Sequence, residues 1–357
     1  MPVIVFKTNS CSVVGAVKVM VYSLLSLAFE RCIGSNMPAS KPSDPRIAPA
    51  DAAGIARAAA MLREGRPVAL PTETVYGLAA DAARADAVAA IYRTKGRPDF
   101  NPLIVHVPDL DGARAIAIFD ARAEKLAAAF WPGPLTLVLP LREGAGIAPA
   151  VTAGLSTIAL RCPAHPVMRA VLEASGLRLA APSANRSGAI SPTRAEHVAA
   201  SLGEGLDLIV DGGAARAGLE STIVALRNLG DEPAGWQLLR PGPIDPEAIA
   251  ALLGEPPIPL ADQRIEAPGQ LASHYAPGKP LRLGAVAADA DEWLIGFGNV
   301  VGDDTLSASG DLAEAAANLY AALHRADASD HARIAIAPVP MGGMGDAIND
   351  RLKRAAA

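Results

Sequence analysis

The stretch PVALPTETVYGLAAD, residues 67–81, decides the fold. Its first four residues are apolar and predict a short buried strand over 67–70. The polar loop PTETVYGL follows at once, and ligands of open α/β sheets bind beyond the carboxyl ends of strands. These side chains are therefore candidates for binding a small polar substrate. A capped turn, with Thr72 as the N-cap and with Val75 and Leu78 in the core, accounts for the same residues equally well.

Strand and helix patterns alternate on both sides of this stretch. Upstream, Asp51 is a good N-cap for a helix that stops near Gly65. Further predicted helices cover residues 83–94, 166–174, 193–202 and 247–253, and further predicted strands cover residues 102–107, 156–161, 177–181, 208–211, 221–226 and 236–239. This alternation predicts a layered α/β domain.

The pattern changes after Pro241, which predicts a second and smaller domain. Residues 255–278 are rich in proline and glycine and have little periodicity, as is typical of a linker. A strand, strand, helix, strand, helix pattern then begins at Pro280. The predicted boundaries are 1–36 for a non-core extension, 46–246 for the first domain, 247–279 for the linker and 280–357 for a small α/β domain.

Residues 1–36 are set apart because a second methionine, Met37, precedes a stretch that resembles an ordinary protein start. The apolar run from Val13 to Phe29 contains Lys18 and is short for a membrane span. An upstream extension or dispensable tail is the preferred interpretation, and a membrane anchor is the alternative.

Composition limits the classes of function. The net charge of −5 argues against broad sequence-independent binding of nucleic acid, although a local basic cleft for an anion such as ATP remains compatible with it. The three cysteines form no pair or cluster with zinc spacing, so no metal site is predicted, and Cys162 is expected to be a small core residue. Sparse cysteines fit a reducing compartment, and we expect a cytoplasmic protein without membrane contact.

The segment KGRPDFNPLIVH, residues 95–106, carries two cations in a predicted loop. Lys95 is a compact charge and Arg97 a bidentate fork for phosphate oxygens, while Asn101 adds an uncharged donor. His106 lies on the following strand and can face either a cavity or the core. The alternative for the two cations is a solvated helix C-terminus that interacts with the helix dipole.

Arg161 ends the apolar strand in STIALRCP, residues 156–163. A charge in that position is costly unless it meets a partner. The natural partner is the carboxylate of a substrate, so Arg161 is a stronger candidate than a surface arginine.

Four more segments place polar groups near strand ends. They are APSANRSGAISPT (181–193), GLESTIVAL (218–226), LLRPG with Arg240, and HYAPGKP (274–280) in the linker. A linker that carries a histidine and a tyrosine can fold over a cleft as a lid that excludes water. No Walker A loop, dinucleotide fingerprint or paired catalytic carboxylate is apparent. The residues alone thus indicate an α/β protein for a phosphate-bearing ligand together with a small carboxylate.

Taken together, these segments resemble the YrdC family of L-threonylcarbamoyladenylate synthases. PTETVYGL, KGRPxxxPLIVH, ALRCP, PSANxSGxxSPT, STI and LRPG occur in the order of the family over about residues 50–242. HYAP and the small C-terminal domain resemble the long, two-domain form. The resemblance implies a twisted mixed sheet with helices around an open cleft, plus a small Rossmann-like α/β domain.

The resemblance also implies a reaction. L-Threonine, bicarbonate and ATP, with Mg²⁺ on its phosphates, would give L-threonylcarbamoyl-AMP and diphosphate for the modification of adenosine 37 in tRNAs. A separate tRNA threonylcarbamoyltransferase complex would receive the product, so that tRNA itself is an indirect partner.

The resemblance to the YrdC family implies three sets of site residues in this sequence. Lys95 and Arg97 would neutralise the phosphates during catalysis. The L-threonine set is Thr74, His106, Arg161, Ala181 and Ser221. The ATP set is Arg97, Asn101, Thr157, Ser183, Asn185, Ser191, Arg240 and Tyr275. Ala181 stands where the family often has threonine, which leaves a backbone contact there.

Two other functions compete with this one. A related carbamoyl-AMP-forming module of hydrogenase maturation carries zinc fingers and an acylphosphatase unit, and both are missing here. A double-stranded RNA-binding module without catalysis is weakened by the negative net charge and the few aromatic residues. The C-terminal domain, which shows no catalytic cluster, could serve regulation or interaction.

Overall fold

The computed structural model describes residues 44–227, 235–259, 265–271 and 273–357, so the predicted extension over 1–36 lies outside the described residues. Within these ranges, ten strands of the first domain form one mixed sheet in the order β1-β8-β2-β3-β7-β4-β6-β5-β9-β10. The strands are β1 (Ile47–Pro49), β2 (Val68–Leu70), β3 (Gly77–Asp81), β4 (Ile104–His106), β5 (Leu135–Pro140), β6 (Thr157–Arg161), β7 (Leu179–Ala180), β8 (Ile209–Asp211), β9 (Thr222–Arg227) and β10 (Gly235–Arg240).

Helices cover the sheet. They are α1 (Ala52–Arg63), α2 (Ala85–Lys95), α3 (Leu110–Arg114), α4 (Ala121–Phe130), α5 (Pro149–Thr152), α6 (Pro166–Ser175), α7 (Ala195–Leu202) and α8 (Pro246–Leu253). The predicted N-cap of α1 is confirmed, because the Asp51 carboxylate accepts a hydrogen bond from the Gly54 amide at 2.8 Å. Ile249 of α8 packs in the same core as Trp236, which ties the start of the predicted linker to the first domain.

Register places the polar loops at one edge of the sheet. Strands β4 and β6 are parallel, and His106 stands directly opposite Arg161 at their carboxyl ends. Gly77 and Ser183 form an isolated bridge beside them. The loops predicted to bind ligand therefore converge at this edge.

Strand β3 was not predicted, and the segment was interpreted only as a turn. Its sequence GLAAD has low strand propensity, yet the strand is fully buried between β2 and β7 and pairs antiparallel with both. Tertiary pairing thus overrides local preference here.

The second domain is a small parallel sheet with two helices. Its strands are β11 (Leu281–Leu283), β12 (Glu292–Gly296), β13 (Asp304–Thr305) and β14 (Arg333–Ile336), in the order β11-β14-β12-β13, and its helices are α9 (Leu312–Asp327) and α10 (Met344–Ala355). This arrangement confirms the predicted Rossmann-like α/β class of the domain. No helix in the described ranges is both long enough and apolar enough to cross a membrane.

Helix α9 packs directly against loops of the first domain. Val75 and Leu219 share one apolar cluster with Leu319 and Tyr320 of α9. Gly218, at φ +68°, approaches so closely that an added Cβ would lie 2.4 Å from the Ala316 carbonyl oxygen. Only glycine fits this contact without a shift of the backbone.

Candidate active site

A cavity lies at the loop edge of the large sheet, under the segment that leads to the second domain. Its volume is about 40 Å³, well below the roughly 300 Å³ at which ordinary small-molecule sites begin. Predicted site residues in its wall are Thr74, Arg97, His106, Arg161, Ala181, Ser183, Ser221, Arg240 and Tyr275, and the wall also contains Glu220 and His274.

Arg161 is buried at the end of β6 and is held on three sides. Its Nη2 donates to Glu73 at 2.6 Å, its Nη1 to the Thr74 hydroxyl at 2.8 Å and its Nε to the Gly133 carbonyl at 3.2 Å. The partner that a buried charge requires is therefore supplied first by Glu73, whereas the sequence suggested a substrate carboxylate. Burial alone would raise the pKa of Glu73, but the charge of Arg161 lowers it on balance.

The loop around Thr74 is both a capped turn and part of the cavity wall, so the structure agrees with both interpretations of its sequence. The Thr72 hydroxyl accepts from the amides of Thr74 and Val75 and donates to the Val75 carbonyl, which makes a capped turn. Val75 and Leu78 are buried, as the turn interpretation expected. The same turn points Thr74 at the cavity and at Arg161.

His106 is both buried and in the cavity wall. Burial, together with the nearby charge of Arg161, lowers the pKa of His106 to about 3, so the imidazole is neutral at physiological pH. Its Nδ1 has no hydrogen-bond partner among the described residues. A neutral imidazole can donate to or accept from a small polar substrate.

Lys95 is the last residue of α2 and does not line the cavity. Its Nζ donates to the carbonyl oxygens of Ser183 and Asn185, both at 2.5 Å. Burial, with Arg97 nearby, lowers the pKa of Lys95. In this structure the ammonium group therefore fixes the loop that carries Ser183.

Arg97 follows α2 and does reach the cavity wall. It donates to the carbonyl oxygens of Asn101 at 3.1 Å and Pro102 at 2.9 Å. Burial lowers the pKa of Arg97 to about 10, which still leaves a cation at neutral pH. The free N–H groups of its fork remain available to an anion.

Ser221 and Arg240 form the opposite wall. Arg240 donates to both the carbonyl and the hydroxyl of Ser221, each at 3.1 Å, and to the Pro268 carbonyl at 3.2 Å. The Ser221 hydroxyl also bonds to that of Thr136 at 2.7 Å. These bonds link the wall to the segment that covers the cavity.

Tyr275 closes the cavity from above. It is fully buried in a left-handed backbone conformation, φ +65°, that non-glycine residues seldom adopt. Its ring packs edge-on against His274, with centroids 4.1 Å apart. The Ala276 amide donates to the Gly188 carbonyl at 2.8 Å, which anchors the covering segment to the first domain.

Four predicted ATP residues lie outside the cavity wall. Three of them, Asn101, Asn185 and Ser191, are buried. Each lies within about ten residues of the wall along the chain. Thr157 begins strand β6, whereas Arg161 ends it, and four residues of strand span about 13 Å. The structure therefore does not bring Thr157 to the cavity.

Several buried polar atoms around the cavity lack a partner among the described residues. They are the side-chain oxygen and nitrogen of Asn101, the Nδ1 atoms of His106 and His274, the hydroxyls of Ser191 and Tyr275, and Oε1 of Glu220. Unpaired buried polar groups are costly unless a ligand or water satisfies them. Together with Arg97, Arg161 and Arg240 they fit a polar anionic ligand.

The predicted sets of site residues did not include Glu73 and Glu220, or Arg351, which holds Glu220. Glu220 accepts from Arg351 at 2.9 Å and from Tyr320 at 2.9 Å, and both donors belong to the second domain. Burial alone would raise the pKa of Glu220, but the charges of Arg351 and Arg240 lower this pKa to about 2. A signal for Arg351 existed, because it falls on the apolar stripe of α10 with Ile348 and Leu352.

A mixed sheet with a cationic cavity at its loop edge, covered by a segment that leads into a Rossmann-like domain, defines a two-domain YrdC-like protein. The family model described as "Telomere recombination", for Sua5, YciO and YrdC proteins, matches residues 60–242. The model described as "Threonylcarbamoyl-AMP synthase, C-terminal domain" matches residues 244–357.

Similar proteins agree with these matches. The chain is 42% identical to the threonylcarbamoyl-AMP synthase of Bacillus subtilis over 85% of this chain and 92% of the relative. It is 38% identical to that of Pyrococcus abyssi over 84% of this chain and 92% of the relative. The crystal structure of P. abyssi Sua5 complexed with L-threonine superposes with a TM-score of 0.77 at 37% identity, covering 85% of this chain and 94% of that one.

The chain belongs to the threonylcarbamoyl-AMP synthase family, in its long two-domain form. This confirms the predicted family, fold class and enzyme class. The roles assigned to single site residues and the domain boundaries stay predictions.

Proposed function

We propose that this protein makes L-threonylcarbamoyl-AMP from L-threonine, bicarbonate and ATP in the cavity described above. The observation that carries the proposal is the cavity wall itself. Arg161, Thr74 and His106 form one group of polar contacts in it, and Arg97 and Arg240 provide separate positive charge. A small amino acid and a polyphosphate require these two kinds of contact.

Arg161 would bind the carboxylate of L-threonine. Glu73, Thr74 and Gly133 each occupy one N–H of its guanidinium, so a second N–H on each Nη atom has no partner in the described ranges. Those two N–H groups can bind a carboxylate in the bidentate manner. The neutral His106 and the Thr74 hydroxyl would contact the polar groups of the same substrate.

ATP would bind against Arg97 and Arg240, with Lys95 holding the Ser183 loop in place. No group of three or more His, Cys, Asp or Glu side chains in the described residues could hold a metal ion. Mg²⁺ would therefore enter as part of the ATP substrate, bound by phosphate oxygens and water, which suits its preference for few protein ligands. Tyr275 would cover the nucleotide.

The chemistry has two steps in this proposal. The threonine amine captures bicarbonate and releases water, which gives a carbamate. A carbamate oxygen then attacks the α-phosphorus of ATP, and diphosphate leaves. Reactions of this kind depend mainly on positioning and charge neutralisation, so the arginine-rich wall without a conspicuous general base is suited to it.

The covering segment would act as a lid. A cavity of about 40 Å³ has room for only a few water molecules, so the segment has to move before ATP can enter. When it returns, Tyr275 would exclude water from the labile carbamate and adenylate. The product would pass to a tRNA-modifying transferase in the cytoplasm.

The test is diphosphate release from ATP and bicarbonate, with and without L-threonine. We expect release that depends on L-threonine, and a fall of about 30-fold or more in kcat/KM for L-threonine in Arg161→Ala, since losing one member of a buried charged pair costs about 2–5 kcal/mol. Arg169→Ala, in α6 and outside the cavity wall, is the matched control and should behave as wild type. Release that ignores L-threonine would contradict the proposal, and no release at all would contradict it and favour the RNA-binding alternative.

A further inference from the structure

Arg351, in helix α10 of the second domain, is the charged side chain that connects this domain to the cavity. It is 1% exposed. Its Nε donates to Glu220 at 2.9 Å, its Nη2 to the Pro241 carbonyl at 2.9 Å and its Nη1 to Asp350 at 2.8 Å. Its Cζ lies 5.3 Å from the centre of the Tyr275 ring, within the range of a cation–π contact.

Three of these contacts reach the catalytic apparatus of the first domain. Glu220 is part of the cavity wall, Pro241 directly follows Arg240, and Tyr275 covers the cavity. In chain order the cavity wall ends at Tyr275, so no described residue of the second domain lines it. The second domain therefore acts on the site through side chains such as Arg351.

Stability alone does not explain a buried ion pair at this interface. Apolar residues of similar volume often serve as well or better, because burying two charges costs desolvation free energy. A planar guanidinium instead fixes three partners at defined angles, which an apolar side chain cannot do. The apolar cluster of Val75 and Leu219 with Leu319 already holds the domains together.

We propose that Arg351 is a positioning residue for the ATP-dependent step, through which the second domain holds Glu220, Arg240 and Tyr275 in their working arrangement. The inference rests on the proposed function. It assigns the effect to the ATP side, because Arg161 is fixed by separate bonds to Glu73, Thr74 and Gly133.

The experiment compares steady-state diphosphate release by wild type, Arg351→Met and Arg351→Lys. We expect the KM for ATP to rise about tenfold and kcat/KM for ATP to fall about 100-fold in Arg351→Met, as expected for a misplaced site. The KM for L-threonine should rise less than the KM for ATP, since only Ser221 of the proposed L-threonine contacts bonds to Arg240. Arg351→Lys should have an intermediate KM for ATP. Its ammonium group can pair with Glu220 but cannot also donate to the Pro241 carbonyl as the guanidinium does.

Arg325→Met is the matched control, since Arg325 belongs to the same domain but forms a surface pair with Asp304. Equal KM values for ATP in Arg351→Met and Arg325→Met would overturn the inference, as would a proportional rise in both substrate KM values. If circular dichroism finds Arg351→Met unfolded, Arg351→Lys decides, and a wild-type KM for ATP there contradicts the inference. Calorimetric titration with ATP separates the two proposals, because weaker ATP binding in the variants supports this one even if wild type makes no adenylate.

Discussion

At the scale of single residues, the pair of Arg161 and Glu73 sets the electrostatics of the cavity. Both side chains are buried. We expect Glu73→Gln to lower the free energy of unfolding by about 3 kcal/mol, because it leaves a buried guanidinium without its counter-charge. The stabilisation of the variant by L-threonine should exceed that of wild type, since a substrate carboxylate would then neutralise Arg161. Thermal melts with and without L-threonine measure both effects.

The control for this prediction is Glu124→Gln, because Glu124 pairs with Arg114 on the surface. Such exposed pairs contribute at most about 1 kcal/mol, so stability and the response to L-threonine should stay near those of wild type. An equal L-threonine shift in Glu73→Gln and wild type would argue against Arg161 as the carboxylate site.

Single residues also mark the limit of what the sequence could predict. Arg161 could be selected because a charge at the end of an apolar strand needs a partner. Glu73 lies in the loop PTETVYGL, but its pairing with Arg161 depends on how two segments that are distant in the sequence meet. No local sequence pattern encodes that meeting. Thr157 illustrates the converse, because its residue type fits a nucleotide contact while it lies at the start of β6, outside the wall of the present small cavity, and its role stays a prediction.

At the scale of elements, the segment that covers the cavity depends on a glycine. Gly269 has φ +88°, and an added Cβ would lie 2.7 Å from the Tyr275 hydroxyl and 2.9 Å from Arg240 Cδ. We expect Gly269→Ala to displace both side chains and to lower kcat/KM for ATP by about tenfold or more. Diphosphate release in the presence of L-threonine is the measurement.

Gly284→Ala is the matched control for Gly269→Ala. Gly284 has φ +72°, yet no atom of the described part of the chain lies within 4 Å of its added Cβ. Both variants should lose about 1–2 kcal/mol of stability from the left-handed backbone. Activity should fall only in Gly269→Ala, and an equal loss in the two would refute a role of the segment in catalysis.

Elements were the level at which the sequence was most informative. Apolar runs and caps predicted α1, α2, α6, β4, β6 and most of the second domain to within a few residues. Strand β3 was missed because glycine and alanine carry little strand signal, and its pairing with β2 and β7 comes from the rest of the sheet.

At the scale of the whole molecule, buried histidines link stability to pH. Burial is the largest cause that lowers the pKa values of His106, His197 and His274 to about 3. In the unfolded chain they titrate near 6.5, so below that pH the unfolded state binds protons that the folded state does not. The stability they provide is fully present above about pH 6.5 and is lost as the pH falls towards 3.

We therefore expect the midpoint of urea unfolding to be lower at pH 5 than at pH 7.5. The contribution of Glu220 does not confuse this comparison, because its pKa of about 2 confines that loss to pH values below its ordinary 4.5. The slope of the free energy of unfolding against pH reflects the protons taken up on unfolding, and His197→Gln should reduce this uptake by about one proton. Identical midpoints at the two pH values would contradict the buried, neutral state of these histidines.

The close approach of Gly218 to helix α9 has a consequence for inheritance. At φ +68° a side chain at this position already strains the backbone, and a second domain that rests on Gly218 excludes it altogether, because a Cβ would meet the Ala316 carbonyl. A second domain of this kind that is transferred by recombination would then fit only a first domain that already carries glycine at this position. The two domains of such a protein evolve as a matched set.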